Sequence, residues 1–304
     1  MIQKLSGSKL YFSPIILSLA YLFGFDPFGY QLLGLLSVSV LFYFALKLDE
    51  RKAALFFFLF GFFLYCTGLY WLYISIHTVS GAPKALAILL IALLSVYLSI
   101  FHSIFGLVFV KLHKRIRSEW ISLLLVAPPL WMLLEVFRGY FLTGFPWLSL
   151  GYMESGSLIS SWAPIGGVYL VSMIMAMISS GILLIFLKKR LLGSSIVTIL
   201  IISSYILGTV DWTSRSNESS YKVALVQGNI QQDKKWLRSE FENTLTQYAS
   251  SLQGLEGTDL VIWPEVAIPS LKRNIEDYLE YLETQMMEKD IQMLILGINT
   301  QDQN

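Results

Sequence analysis

Seven long apolar runs fill the first 210 residues of this 304-residue chain and leave it few ways to fold. A helix needs roughly 20 predominantly apolar residues to cross a bilayer, and it satisfies its own backbone polar groups where water is absent. The runs lie at 10–25, 30–46, 53–76, 86–110, 121–134, 165–187 and 191–210. The fifth is the weakest, because Pro128 and Pro129 fall in its middle and Glu135 closes it. A membrane helix tolerates such a kink when neighbours satisfy the freed carbonyls. Charged residues make up 14% of the chain against 55% hydrophobic, about half the ~25% charge of a soluble domain. That balance argues against both a soluble globular protein and a disordered chain. A helical membrane bundle of about seven spans is the expected architecture for residues 1–211.

A net charge of +1 conceals a division of the chain. Residues 1–210 carry 14 Lys/Arg against 6 Asp/Glu (+8), and residues 211–304 carry 8 against 15 (−7). The basic residues of the first part alternate by side. Lys4, Lys9, Lys47, Arg51, Lys52, Lys111, Lys114, Arg115, Arg117, Lys188, Lys189 and Arg190 fall on one side, and only Lys84 and Arg138 on the other. Positive residues collect on the cytoplasmic face, so the amino terminus is expected in the cytoplasm. After seven spans the acidic part emerges on the outer side. The first run resembles a signal peptide but lacks a small-residue cleavage site and is read as retained.

The outer connections are aromatic. Tyr70, Trp71 and Tyr73 form one group, and the stretch 139–162 holds Tyr140, Phe141, Phe145, Trp147, Tyr152 and Trp162. An interfacial belt and a loop that holds lipid both fit this pattern. Glu135 and Arg138 stand three apart, a spacing that lets them pair on one helical face. They read either as a structural ion pair or as a site, since the guanidinium fork of Arg138 also matches phospholipid phosphate oxygens. His102 reads as a packing histidine within the fourth run. Three scattered histidines and one cysteine, Cys66 in the apolar third run, predict no metal cluster, no disulfide and no reactive thiolate in the bundle.

From Tyr221 the pattern changes to short alternating elements. Strands are expected at 222–227, 259–263 and 292–298, and amphipathic helices at 240–252 and 275–288. Strand and helix in alternation signal an α/β layer with a mainly parallel sheet, and residues 222–304 are read as a separate domain. Sites in such sheets form beyond the carboxyl ends of strands, where Glu265 stands. Its neighbours Trp263, Pro264 and Val266 to Pro269 suggest an apolar setting that would raise a carboxyl pKa and suit a general base. A capping or salt-bridged glutamate is the structural alternative.

At these residues the sequence becomes specific. VALVQGNI at Val223–Ile230, KKW at Lys234–Trp236 and LVIWPEVAIP at Leu260–Pro269 resemble the opening of a nitrilase-type carbon–nitrogen hydrolase domain, an αββα sandwich. With WLYISIHT at Trp71–Thr78 and RGYFLTGFPWLSLGY at Arg138–Tyr152, the whole chain resembles the bacterial apolipoprotein N-acyltransferase family. The resemblance implies acyl transfer from a membrane phospholipid to the α-amine of a diacylglyceryl-modified amino-terminal cysteine of an apolipoprotein, through a thioester on a Glu, Lys and Cys triad. A covalent intermediate divides one difficult transfer into two easier ones, and a fixed cation favours the oxyanion.

Carried over residue by residue, Glu265 matches the general base. Trp236 matches an aromatic residue near the family's active site, a plain packing tryptophan being its alternative. Arg138 and Trp147 join Trp236 as candidate substrate-binding residues. The family's lysine and cysteine lie downstream of the third strand, and no cysteine follows Glu265 here. The chain is therefore expected to be the truncated amino-terminal portion of such an enzyme, inactive alone. The resemblance further implies a multi-pass monomer of the bacterial inner membrane with a periplasmic soluble domain, and no metal, cofactor or nucleic-acid partner. A transporter, a membrane sensor with an outer α/β domain, and a membrane-tethered amidase are the competing readings.

Overall fold

The structure, a computed structural model, describes residues 7–214 and 220–301. Lys4, counted above among the cytoplasmic charges, and the last three residues of the chain lie outside them. The chain divides into two units, Met1–Trp212 and Thr213–Asn304.

In the first unit all seven apolar runs fold as helix. The helices are α1 (Gly7–Leu22), α2 (Gln31–Lys47), α3 (Glu50–Gly68), α4 (Lys84–Ile116), the single turn α5 (Glu119–Ile121), α6 (Ala127–Tyr140), α7 (Ala163–Phe186) and α8 (Arg190–Gly208). Five helical stretches are long and apolar enough to cross a membrane: Glu50–Gly68, Lys84–Ile116, Glu119–Thr143, Leu158–Phe186 and Arg190–Gly208. Phe12–Leu22 and Gln31–Lys47 are apolar but shorter.

Local chemistry sets the helix ends. Asp49 caps α3 by accepting from the Lys52 amide at 3.0 Å, which satisfies an otherwise orphaned N–H and holds the Asp49 carboxyl below its usual pKa. His113, Lys114 and Arg115 occupy the last turn of α4, where cations suit the helix dipole. The Pro128–Pro129 pair turns out to begin a helix. It sits in the first turn of α6, where a missing N–H leaves no bond unmade, and a π-helical stretch, Ser122–Val126, leads into it. The third run divides, with α3 ending at Gly68 and a π-helical stretch resuming at Ile74–Val79.

Helices in lipid gain little from hydrophobic burial against each other, so close approach at small residues matters. A Cβ on Gly61 would lie 3.0 Å from Ser99 Cα, and one on Gly193 2.5 Å from the Gly181 carbonyl. Around these contacts Phe42, Phe57, Phe105 and Trp131 interlock, with ring centroids 5.1 to 6.0 Å apart. Ile88, Leu89, Leu93 and Ile100 of α4 stay exposed, as expected of side chains that meet hydrocarbon.

The second unit holds β1 (Val223–Leu225), α9 (Phe241–Ser250), β2 (Leu260–Ile262), β3 (Ile268–Leu271), α10 (Glu276–Glu288), β4 (Met293–Ile295) and β5 (Ile298–Asn299). β1, β2 and β4 form a parallel sheet in that order. Successive strands step across it in one direction, so right-handed crossovers put both helices on one face. Leu245 and Tyr248 of α9 and Leu282 of α10 accordingly share a core with Val261. Val223, Leu225, Met293 and Ile295 of the sheet are exposed. One helix layer on one parallel sheet is half of the αββα arrangement expected from the resemblance.

The third predicted strand is interrupted. Its first part is β4, and its last residues become β5, which pairs parallel with β3. β3 carries Pro269, and a proline lowers the strand signal of any run.

Substituting Gly106 with Ala should destabilise the bundle. The new Cβ would lie 2.7 Å from the Ala53 carbonyl oxygen, a backbone atom of α3. Overpacking of this kind costs roughly 1–3 kcal/mol, to be read as a lower unfolding midpoint in mixed micelles. An unchanged midpoint would mean that α3 and α4 separate freely.

Candidate functional site

Glu265 sits between β2 and β3, and strand pairing dictates the shape of its loop. Ile262 pairs with Ile295 and Ile268 with Ile298, so two chain segments run side by side. One spans the gap with five residues, 263–267, and the other with two, 296 and 297. The longer segment has to loop out. Trp263 N–H donates to the Ile295 carbonyl at 2.8 Å, and Ala267 N–H closes a tight turn on the Pro264 carbonyl at 3.2 Å. Glu265 and Val266 form the apex.

Val266 takes φ +48°. A β-branched residue there is a genuine outlier, and such strain costs on the order of 1–3 kcal/mol and collects at functional sites. Trp263, Ala267 and Ile268 are buried beneath the turn, with Trp263 against Tyr248 at 4.9 Å. Glu265 itself is exposed. Of its apolar neighbours, Trp263, Ala267 and Ile268 turn inward, Val266 is half-buried and Pro264 is exposed beside it, so they do not enclose it. Among the described residues no hydrogen bond or ion pair engages its carboxylate, so Glu265 neither caps a helix nor forms a salt bridge.

The KKW segment lies beside this turn. Lys235 Nζ donates to the Glu265 carbonyl at 3.3 Å, and the adjacent Trp236 is 57% exposed among the described residues.

In the first unit, Arg138 and Glu135 of α6 are buried together, but their charges serve different partners. Arg138 Nη1 donates to Tyr65 Oη and to the Trp147 carbonyl, each at 2.6 Å, and Nη2 donates to Ser149 Oγ at 2.8 Å. Its guanidinium also lies 5.5 Å from the Tyr65 ring centroid. Glu135 Oε1 accepts from Trp131 Nε1 at 2.9 Å and from the Leu150 amide at 2.8 Å. Among the described residues the two form no ion pair with each other, one of the two readings of their spacing, and act as two anchors that fasten the stretch 147–150 to α6. Arg138, expected to meet a lipid phosphate, instead spends its donors on the protein and is only 2% exposed.

The same anchoring leaves Trp147 half-exposed. Its ring lies 5.9 Å from Trp71 and 5.5 Å from Phe145, which joins the two aromatic groups into one cluster. Farther along, Met153 fills the space left by Gly24 and Gly34, and Gln31 Nε2 donates to its carbonyl at 3.3 Å. Burial pushes the neighbouring Glu154 carboxyl above its usual pKa, opposed by a hydrogen bond from Ser157. His102 lies among Phe60, Tyr65 and Trp131 at 5.4 to 5.6 Å, an aromatic cage consistent with a packing role.

Tyr65 takes part in these arrangements without a signal in the sequence, and Ser149, Lys235 and Val266 lie in the quoted motifs, which do not single them out for these roles. Tyr65 lies 73 positions from Arg138, and Val266 is ordinary until its backbone angle is known.

Comparison with known proteins gives the family. The profile of the apolipoprotein N-acyltransferase N-terminal domain matches residues 17–181, more than half of the chain. An apolipoprotein N-acyltransferase of Vibrio cholerae is 33% identical over 260 residues, which are 85% of this chain and 51% of that protein. One from Pseudomonas putida is 31% identical over 282 residues, 91% of this chain and 55% of that protein. One from Coxiella burnetii is 33% identical over 276 residues, 89% and 56% respectively. The chain spans about half the length of the curated relatives it matches. It belongs to the apolipoprotein N-acyltransferase family.

Replacing Arg138 with Leu should loosen the 141–157 stretch, because Tyr65 Oη, the Trp147 carbonyl and Ser149 Oγ would lose their partner. Each buried group left unpaired costs about 1–3 kcal/mol. Arg138→Lys should rescue little, because an ammonium lacks the planar fork. Limited proteolysis within 141–157 measures the effect, and wild-type resistance in Arg138→Leu would show that the anchor is dispensable.

Proposed function

We propose that these residues supply the membrane bundle and the general base of a phospholipid-dependent N-acyltransferase. The donor would be a membrane phospholipid and the acceptor the amino-terminal amine of a diacylglyceryl-modified apolipoprotein. Family membership supports the reaction, and the carrying observation is Glu265 itself. Among the described residues it is an exposed carboxylate without a partner, on a strained turn at the carboxyl end of a parallel strand.

In this reading a cysteine of the family's second half gives its proton to Glu265, and the thiolate attacks the phospholipid ester carbonyl. A lysine of the same half stabilises the tetrahedral oxyanion. The ester C–O bond breaks, a C–S bond remains, and the lysophospholipid leaves with the proton that Glu265 took. The acceptor amine then opens the thioester, forming the amide and returning the thiol. Exposure of Glu265 suits a base that has to be reached by a group outside the described residues.

The aromatic residues complete the reading. Trp147, with Trp71 and Phe145, and separately Trp236 are proposed to contact lipid. Arg138 is proposed to shape the Trp147 segment from within rather than to bind phosphate. The charge asymmetry supports a bacterial inner-membrane protein with a cytoplasmic amino terminus and a periplasmic second unit. Transporter and sensor readings give way to the family, while an amidase would share the first half-reaction and differ in using water as acceptor.

Two outcomes are expected. The 304-residue polypeptide alone should form no thioester with labelled phospholipid, because its one cysteine, Cys66, lies in α3; label on the purified polypeptide would overturn this. In a protein that continues from these residues into the family's lysine and cysteine, Glu265→Gln should reduce acyl-enzyme formation by roughly 10²–10⁴-fold. Normal turnover in that variant would remove Glu265 from its role.

A further inference from the structure

The turn that carries Glu265 rests directly on the backbone of Gly297. Parallel pairing of β2 with β4 and of β3 with β5 brings the 264–266 apex against the two-residue connection 296–297. The Ile268 amide reaches the Gly297 carbonyl at 3.4 Å. A Cβ built on Gly297 would lie 2.8 Å from Glu265 Cα, 2.8 Å from the Pro264 carbonyl oxygen and closer still to the Val266 nitrogen. All three are backbone atoms, so no flexible side chain can move aside to make room. Ordinary contact begins at 3.4 Å, so Glu265 Cα and the Pro264 oxygen would have to retreat by 0.6 Å, and the Val266 nitrogen by more, to accept one methyl group.

We infer that Gly297 is a positioning residue for the acyl transfer: its bare backbone forms the seat that fixes the height of the Glu265 turn, while the left-handed Val266 locks the turn's shape. The inference rests on Glu265 acting as the base. A glutamate held by no side-chain partner has only its backbone to fix it, and here the backbone is held by contact with Gly297, by the strand pairs on either side, and by Lys235 on the Glu265 carbonyl. A misplacement of about 1 Å costs on the order of 10²-fold in rate, so a shift of more than half that distance should be visible in kcat.

The test uses the acylating protein of the Glu265→Gln experiment and reads kcat, KM for the phospholipid and thermal stability together. Gly297→Ala should lower kcat roughly tenfold or more with KM nearly unchanged. Gly254→Ala is the control for stability alone. Gly254 has φ +77° and open space around it, so alanine there strains the unit without touching the turn, and it should lower the melting temperature while leaving kcat intact. Val266→Gly adds no atom and relieves the unusual φ. It should keep or raise stability yet lower kcat, because the freed turn no longer fixes Glu265.

If Gly297→Ala fails to fold, Val266→Gly decides: a lower kcat at undiminished stability supports the inference, and an unchanged kcat overturns it. A folded Gly297→Ala protein with wild-type kcat overturns it as well. The two levels separate cleanly. Loss of acylation in Glu265→Gln with full activity in Gly297→Ala would sink only the positioning role, whereas full activity in Glu265→Gln would sink the general base and the positioning role with it.

Discussion

A buried polar group has to find its partner within the protein, and the stretch between α6 and α7 is where helical hydrogen bonding answers that demand least. Helices answer it internally, but residues 141–162 are 3-10 turns and irregular chain. Two side chains of α6 supply much of the answer. Glu135 takes the Leu150 amide, and Arg138 takes the Trp147 carbonyl and the Ser149 hydroxyl. Arg138 and Glu135 Oε1 are thereby held in hydrogen bonds, which offset the cost of burying them, while Glu135 Oε2 has no hydrogen-bond partner among the described residues. The exposed aromatic cluster of Trp71, Phe145 and Trp147 depends on this fastening, because an unanchored loop would lose ordering entropy with every ring it presents.

The second unit meets a different constraint, which is one of length. Two strand pairs in fixed register allow two residues on one connection and demand that five fit on the other. The surplus becomes the Glu265 turn. Closing it requires a left-handed residue, and the sequence supplies Val266 in place of the usual glycine. Valine there is stiffer than glycine would be, since branching at Cβ restricts both side chain and backbone. The cost in stability is accompanied by a turn with few alternative shapes.

How far the sequence revealed this depended on whether the signal was local. Hydropathy placed all the helices of the bundle because apolar runs are local, and alternation placed β1, α9, β2 and α10 for the same reason. The proline pair falls inside the helical stretch Glu119–Thr143, as its place in the apolar run suggests, and the π-turn directly before it, which no local pattern announces, brings the pair to the first turn of α6. β3 escaped because Pro269 weakens its pattern, and because its partner β5 is two residues long. Glu265 stands out by its place at the end of a strand and again by resemblance, and Trp236 by resemblance alone. Tyr65, Ser149 and Gly297 are not visible in the chain's order, since their roles are made by contacts across many residues. Arg138 shows the limit most clearly. Its chemistry permits both a phosphate and an internal carbonyl, and burial decides between them.

That decision also bears on how the aromatic and charged residues divide their work. An arginine committed to Tyr65, Trp147 and Ser149 has little of its fork left for a ligand, and moving it toward a phosphate would leave Tyr65 Oη and the Trp147 carbonyl without this partner and Ser149 Oγ with the Pro146 carbonyl alone. At about 1–3 kcal/mol for each, the loss would exceed what one exposed phosphate contact returns, since exposed ion pairs contribute about 0–1 kcal/mol. The network therefore favours keeping Arg138 where it is when lipid is near. Lipid meeting this part of the bundle would find rings rather than charge: Trp147 and its neighbours, fixed from behind by a cation that never reaches the surface.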